Sequence, residues 1–301
     1  MIEAEDRINF YYGDFPYGNT PPELPEVVKH DVAFLSSQDY SLFTGGYKED
    51  IDEYLALRSN PNNHLWFHCG DSSYKLQPYP VIVKARDSHN PNANGVICAI
   101  NRKRHWEFVP LAAVHPDLQV DWHQKISMPV WRGVSTSLKH DYHRGHLVTQ
   151  YSKKYDFGFS NIVEKQAYLD VFEKYNLEAY VKPPLSIKQL LHYKYIVAID
   201  GNDKASSINW ILASTSVPIM PKPRFHSYLC EPWLEPNVHY VEVKRDFSDL
   251  EEKIEWCQNN DKLCQEIAAN GKAFILDNFS DREREFKIQK DLIQKVESHV
   301  R

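Results

Sequence analysis

The sequence predicts an α/β fold, and three observations carry that expectation. Residues 194 to 216, KYIVAIDGNDKASSINWILASTS, run from an apolar, β-rich stretch through a small-residue loop into helical sequence. Strand and helix signals alternate from Met128 to residue 280. The last segment, Asp281 to Val300, carries Phe286, Leu292, Ile293 and Val296 at helical spacing and predicts a closing helix.

Taken from the N-terminus, Ile8 to Tyr12 reads as a strand, Gly18-Asn19-Thr20-Pro21-Pro22 as a loop and Glu49 to Leu57 as a helix. Pro80 to Ala85 and Val96 to Ile100 are compact β signals, and the residues from Arg86 to Asn92 between them read as a polar turn. Met128 to Gly133 is a further apolar run that stops at a glycine. Tyr195 to Ile199 predicts a strand buried on both faces. Gly201-Asn202-Asp203 breaks it with turn chemistry, and Ala205-Ser206-Ser207 offers N-cap hydroxyls to a helix over Ile208 to Ala213. Ser216 to Met220 then reads as the next strand, which completes a βαβ unit. In such a unit the loop lies at the carboxyl end of the first strand, and the N–H groups of the helix start suit a phosphate. VHYVEV, Val238 to Val243, is strand-like. Ser248-Asp249-Leu250-Glu251 has the form of a capping box leading into Glu252 to Asn259. Leu263, Ile267 and Ala268 mark another amphipathic helix, which Gly271 ends or interrupts.

A chain of 301 residues accommodates two cores. The sequence places domains at 1–125 and 126–280, with 281–301 as a C-terminal helix. A net charge of −6 excludes a general nucleic-acid binder. The short cationic cluster Arg102-Lys103-Arg104-His105 reads first as a solvated loop. MIEAEDRINFYYGD lacks the basic start and apolar core of a secretory signal, and no run of eighteen apolar residues occurs. Five irregularly spaced cysteines, Cys69, Cys98, Cys230, Cys257 and Cys264, argue for free thiols in a reducing compartment, with Cys257 and Cys264 packed in a core. Neither GxGxxG nor GxxxxGK[ST] is present, which removes the main support for a nicotinamide oxidoreductase or a phosphate-loop hydrolase.

Four ordered motifs carry a family resemblance. They are Trp131-Arg132-Gly133-Val134-Ser135-Thr136-Ser137; Asp156-Phe157-Gly158-Phe159; Tyr193-Lys194-Tyr195 with Asp200-Gly201-Asn202; and Val238 to Lys244 followed by Phe247-Ser248-Asp249-Leu250-Glu251. Together they resemble glycosyltransferase family 90, which includes Rumi-type protein O-glucosyltransferases, capsule xylosyltransferases and bacterial LpsA-like lipopolysaccharide glycosyltransferases. The resemblance spans Val81 to Phe279, is strongest after Met128, and is closest in character to the bacterial branch. It implies a GT-B architecture, with two Rossmann-like domains facing across a cleft, an acceptor-side N-terminal domain and a C-terminal nucleotide-sugar-binding domain. It also implies an inverting transfer from a UDP-sugar to a glycan or lipid-linked oligosaccharide hydroxyl, without an obligatory metal or other cofactor. A cytoplasmic location with peripheral contact to the inner face of a membrane would follow. Inversion needs one base at the acceptor hydroxyl and fixed donors at the departing diphosphate.

On the residues that match, the resemblance assigns the base to Asp87, which follows Arg86 just after an apolar strand; a turn-forming aspartate is the plainer alternative. Asp156 is the reserve, or else a loop anchor. Donor contacts fall on Arg132, Gly133, Val134, Ser135 and Thr136, with Arg144 pairing phosphate. A second donor segment is Asn202, Asp203, Lys204, Ala205, Ser206 and Ser207. Many eukaryotic members carry an arginine where Ser207 stands, so the missing charge must come from Lys204, Arg144 or the helix start. His239 and Tyr240 border the donor cleft or simply pack in a core. His140, His143 and His146 read as a polar cleft loop rather than a metal site. The Ser207 departure also motivates an alternative, a catalytically silent nucleotide-sugar or glycan-binding partner of a larger assembly.

Overall fold

The computed structural model describes residues 1–15, 17, 33–36, 47–63, 65–71, 80–90, 94–106, 109, 115–138 and 144–299. In chain order the elements begin with α1 (Ala4–Tyr12), β1 (Ala33–Ser36), α2 (Lys48–Ala56), β2 (Trp66–Cys69), β3 (Val81–Val83), β4 (Ala85–Asp87), β5 (Val96–Ile97) and α3 (Arg102–His105). They continue with β6 (Ile126–Val134), α4 (Arg144–Tyr151), β7 (Asp156–Asn161), α5 (Leu169–Tyr175), α6 (Ile187–Leu190), β8 (Tyr193–Val197), α7 (Ser207–Leu212) and β9 (Val217–Met220). The chain closes with β10 (Phe225–Ser227), β11 (Val241–Glu242), α8 (Leu250–Asn259), α9 (Asp261–Phe279) and α10 (Arg282–His299).

Contacts divide the chain into two compact units, Met1–Glu107 with Arg224–Trp233 and Asp277–Arg301, and Phe108–Pro223 with Leu234–Leu276. Where the sequence suggests a boundary at 125/126 and a separate closing helix, the contacts assign β10 and α10 to the first unit. That unit holds a four-stranded sheet in the order β1-β2-β3-β5, in which β2, β3 and β5 run parallel and β1 antiparallel. A two-stranded ribbon pairs β4 with β10, Arg86 opposite His226 and Asp87 opposite Phe225. Buried Arg7 ties α1 to the C-terminal helices, donating to Glu285 Oε2 at 2.8 Å and to the Asn278 carbonyl at 2.7 Å.

The second unit is built on five parallel strands in the order β11-β9-β8-β6-β7. Numbered by their own succession this is 2-1-3-4-5, a doubly wound order whose direction reverses between β6 and β8. Sheets of this kind are covered on both faces, so their strands read as apolar runs. Trp131, Phe157, Phe159, Tyr195 and Val197 accordingly share a core with Leu147 and Val148 of α4, Ile254 and Cys257 of α8, and Ile267 of α9. All five cysteines are free and buried. Among the described residues no helix is long and apolar enough to cross a membrane.

Several expectations need correction. Ile8 to Tyr12 belongs to a helix, not a strand, because Glu5 and Asp6 favour its start and Arg7 and Tyr11, four apart, bury one face. Arg86 and Asp87 sit in β4, and the turn begins only at Ser88. Asp249 rather than Ser248 precedes α8 and gives no side-chain cap; its Oδ1 accepts from Lys244 N at 2.8 Å instead. Gly271 neither ends nor interrupts α9: a methyl there would lie 3.0 Å from Leu212 Cδ2 and 3.4 Å from the His239 carbonyl, so the glycine permits close packing. Of VHYVEV only Val241–Glu242 forms a strand. The loop Gly18 to Pro22, with His140 and His143, lies outside the described residues.

Candidate active site

Ligands of doubly wound sheets bind beyond the carboxyl ends of the strands, at the point where strand order reverses. Here that point falls between the loops following Val134 of β6 and Val197 of β8. Arg144, at the start of α4, reaches into it. Its Nη1 donates to the Val134 carbonyl at 2.9 Å and to Thr136 Oγ1 at 2.8 Å, and its Nη2 donates to the Ile199 carbonyl at 3.2 Å. The guanidinium also lies 5.9 Å from the centre of the Trp131 ring. Gly201 closes the cluster, since a methyl at this position would come within 3.0 Å of Arg144 Nη2 and 3.4 Å of Thr136 Oγ1. One arginine thus links the end of the first segment singled out in the sequence, 132–136, to Ile199 and Gly201, just ahead of the second, 202–207.

The next loop residues shape the same end of the sheet. Asp200 Oδ1 accepts from Ala205 N at 3.3 Å, and Gly201 N donates to the Asp203 carbonyl at 2.9 Å, which folds the loop on itself. Asn202 Nδ2 donates to Glu164 Oε1 at 3.1 Å. Lys204 is buried and its ammonium donates to Asn209 Oδ1 at 2.9 Å. Ser206 precedes α7 with helical dihedrals and no side-chain cap, contrary to the expected N-cap, and Ser207 is already helical. The helix is short and has no side-chain cap, and two arginines place positive charge at this end of the sheet. Arg245 is the second of these. Its Nη1 lies 3.3 Å from Asp200 Oδ2 and its Nη2 donates to the Lys222 carbonyl at 2.9 Å. Burial pushes the Asp200 carboxyl above its ordinary value, although Arg245, the Ala205 N–H and Arg144 all draw it down.

Sequence reasoning misses Arg245, which carries no mark in the sequence. In the structure Val243 N pairs with the Met220 carbonyl at 3.1 Å, so the residues just after β11 emerge at the ligand end. His239 and Tyr240, which the resemblance offers for the donor cleft, stand before β11, at the opposite end of the sheet. His239 Nδ1 accepts from Glu235 N at 2.9 Å and its ring packs on Phe274, while buried Tyr240 donates to Glu242 Oε2 at 2.9 Å. Both are packing residues, and burial lowers the His239 pKa.

Strand polarity moves Arg132 and Asp156 away from the site as well. Asp156 opens β7 opposite Val130, four residues before the end of β6, or roughly 13 Å at ~3.3 Å per residue. Its Oδ1 accepts from Arg132 Nη2 at 2.7 Å and Lys182 Nζ at 3.1 Å, and its Oδ2 from Tyr193 Oη at 3.1 Å. Burial works against ionisation, but the Arg132 and Lys182 bonds outweigh it and hold the carboxyl below its usual value. This is a strut across β6, β7 and β8, and Arg132 completes it through the Asp156 and Pro183 carbonyls. Gly133 serves packing: a methyl there would lie 2.7 Å from the Trp131 ring. Fully buried Ser135 latches the loop after β7, accepting from Val163 N at 2.8 Å and donating to its carbonyl at 2.7 Å. His146 pairs with Tyr175 Oη at 3.2 Å.

Asp87 belongs to the other unit. Its Oδ1 accepts from Arg224 Nε at 2.8 Å and from His89 N at 3.0 Å, and its Oδ2 pairs with Arg224 Nη2. Burial raises the cost of its charge, yet the Arg224 bond prevails and leaves the carboxyl below its ordinary range.

The chain is 29% identical over 196 residues to the O-glucosyltransferase LpsA of Dichelobacter nodosus, covering 65% of this chain and 55% of that protein. It is 28% identical over 155 residues to Protein O-glucosyltransferase 2 of Danio rerio, covering 51% of this chain and 29% of that protein. It therefore spans about half or less of the length of these relatives. A glycosyltransferase from Rickettsia africae ESF-5 is similar over 64% of this chain and 52% of its own, with a TM-score of 0.35 and 12% identity. The model of Glycosyl transferase family 90 matches residues 98–285, a span that takes in β6, Arg144, the Asp200–Ser207 loop and Arg245. That match covers more than half of the chain and every side chain gathered at the switch point, and the chain belongs to Glycosyl transferase family 90.

Proposed function

We propose that the chain is an inverting glycosyltransferase of GT-B type that moves a hexose or pentose from a UDP-sugar to a hydroxyl of a glycan or lipid-linked oligosaccharide. Its place would be lipopolysaccharide core or surface polysaccharide synthesis, in the cytoplasm at the inner face of a membrane, with no obligatory metal. One observation carries the donor half: Arg144 is held at the switch point by the Val134 and Ile199 carbonyls and Thr136, with Gly201 against it. A guanidinium fixed there sets a positive charge at the switch point, where it would stabilise the charge that builds as a diphosphate leaves. Both named relatives are O-glucosyltransferases, which makes UDP-glucose the first donor to assay.

Asp87 is assigned the base, on the Arg86-Asp87 order that the family resemblance matches. Its pairing with Arg224 keeps it ionised at neutral pH, the form a base requires. A second reading, a catalytically silent nucleotide-sugar or glycan-binding partner, is favoured by the same pairing, which occupies both carboxylate oxygens. Calorimetric titration with UDP and a transfer assay with UDP-glucose and glycan acceptors separate the two. UDP binding that weakens at least about tenfold in Arg144→Ala, with transfer falling about 10²-fold or more in Asp87→Asn, supports the enzyme. UDP binding with no transfer across donors and acceptors supports the silent partner. No UDP binding by the native chain sinks both the enzyme and the nucleotide-sugar-binding partner, and leaves glycan binding alone to be tested with the acceptors.

A further inference from the structure

Arg245 is placed as a donor contact would be. It follows β11 at the carboxyl end of the sheet, beside the loops that leave β8 at Asp200 and β9 at Lys222. One edge of its guanidinium is fixed by the Lys222 carbonyl at 2.9 Å. The other edge meets Asp200 Oδ2 at 3.3 Å, longer than the roughly 2.7–2.9 Å of a tight charge-assisted bond. The Arg245 side chain is 40% exposed and that of Asp200 28%, so an anion can approach this pair from solvent. Within Asn202 to Ser207 the single cation, Lys204, donates to Asn209. A carboxylate and a phosphoryl group present the same pair of acceptor oxygens to a guanidinium fork.

We propose that Arg245 is a second contact for the nucleoside diphosphate, and that Asp200 is its placeholder, surrendering the guanidinium to the phosphoryl oxygens on binding. This rests on the donor reading above. The groups facing Asp200 are Arg245, Arg144 and the Ala205 N–H, and each of them favours its ionised form. When Arg245 turns to the diphosphate and an anion settles nearby, its share of that support, the largest of the three, is lost. The half-buried Asp200 carboxylate then takes one proton from solvent, and no other bond changes. Diphosphate binding should therefore be linked to proton uptake at Asp200, which a purely structural ion pair would not produce.

The test is calorimetric titration of the full chain with UDP near neutral pH, in two buffers that differ in ionisation enthalpy. The native chain should bind UDP with net proton uptake. Arg245→Ala should weaken binding about tenfold and Arg245→Lys less, since an ammonium keeps the charge but loses the fork. Asp200→Asn should bind UDP severalfold more tightly and lose the proton uptake. If Arg245→Ala does not fold, Arg245→Lys and Asp200→Asn decide the matter. UDP binding by the native chain that persists within twofold in these variants, with proton uptake unchanged in Asp200→Asn, overturns the inference while leaving the donor reading intact. A native chain that weakens in Arg144→Ala but not in the Arg245 variants does the same. A native chain that does not bind UDP overturns both.

Discussion

Asp156→Ala separates a strut from a catalytic carboxylate, and its magnitude follows from the three groups that Asp156 holds. Arg132 is the most consequential, because its side chain is only 6% exposed and would keep its charge with no counter-ion. Breaking a fully buried pair costs about 3–5 kcal/mol, and an exposed one about 0–1. Asp156 is 26% exposed and Lys182 31%, and Arg132 retains the Trp131, Asp156 and Pro183 carbonyls, so the pair lies towards the middle of that span. Loss of the Tyr193 bond adds about 1 kcal/mol or less. A total near 2–3 kcal/mol corresponds to a fall in melting temperature of about 5–10 °C for a unit of this size. Because pairing holds the Asp156 carboxyl below its unfolded value of about 3.9, the stabilisation is complete above that pH. It is lost as pH falls through the lower folded value, so the gap between native and variant melting curves should be full at pH 7 and close in strong acid. Circular-dichroism melts paired with UDP titration provide the assay. The strut is refuted if the melting temperature holds while UDP affinity drops tenfold, or if turnover falls 100-fold in a fully stable variant.

Two further substitutions probe the supports of the site and of the first unit. Gly133→Ala should lower stability by about 1–3 kcal/mol and weaken UDP binding, because the new methyl displaces the Trp131 ring over which the Arg144 guanidinium lies; an unperturbed melt with native affinity would contradict this. Glu285→Ala leaves the fully buried Arg7 guanidinium without its carboxylate and should cost about 3–5 kcal/mol in chemical denaturation, whereas a loss under 1 kcal/mol would show that Asn278 and Tyr11 satisfy it unaided.

The part of the fold legible in the sequence was the part where side-chain pattern and burial agree. Tyr195 to Ile199 reads as a buried strand, and the structure forms β8 over Tyr193–Val197. Elsewhere a local signal was overridden by a partner distant in sequence. Ile8 to Tyr12 has β-prone residues, but Arg7 and Tyr11 find Glu285 and the Tyr228 carbonyl more than two hundred residues away, and those contacts need helical spacing. Gly271 has the composition of a helix stop, yet its lack of a side chain answers to Leu212 and His239. For the site, Arg144, Thr136 and the 201–207 loop were legible because glycine and small polar residues mark the places where a loop must pass close to something. Arg245 was not, because a charged residue after a strand looks like any solvated loop until the strand's direction in the sheet is known.

Strand direction also resolves how one motif can serve two ends of a sheet. Trp131, Arg132 and Gly133 are consecutive, and successive strand side chains point to opposite faces. Trp131 and Gly133 share a face, and there the indole lies against the glycine and under Arg144. Arg132 leaves by the other face and runs back towards Asp156 at the amino end of β7. The motif therefore links the Arg132–Asp156 lattice at one end of the parallel strands to the Arg144 cluster at the other. On the proposed donor reading this arrangement suits catalysis, since a guanidinium that must reorganise as charge develops stabilises less than one already in place. On that reading Arg132 and Asp156 act on donor binding through β6 rather than through contact. Conservative changes at that end, Arg132→Lys among them, should lower stability before they lower UDP affinity.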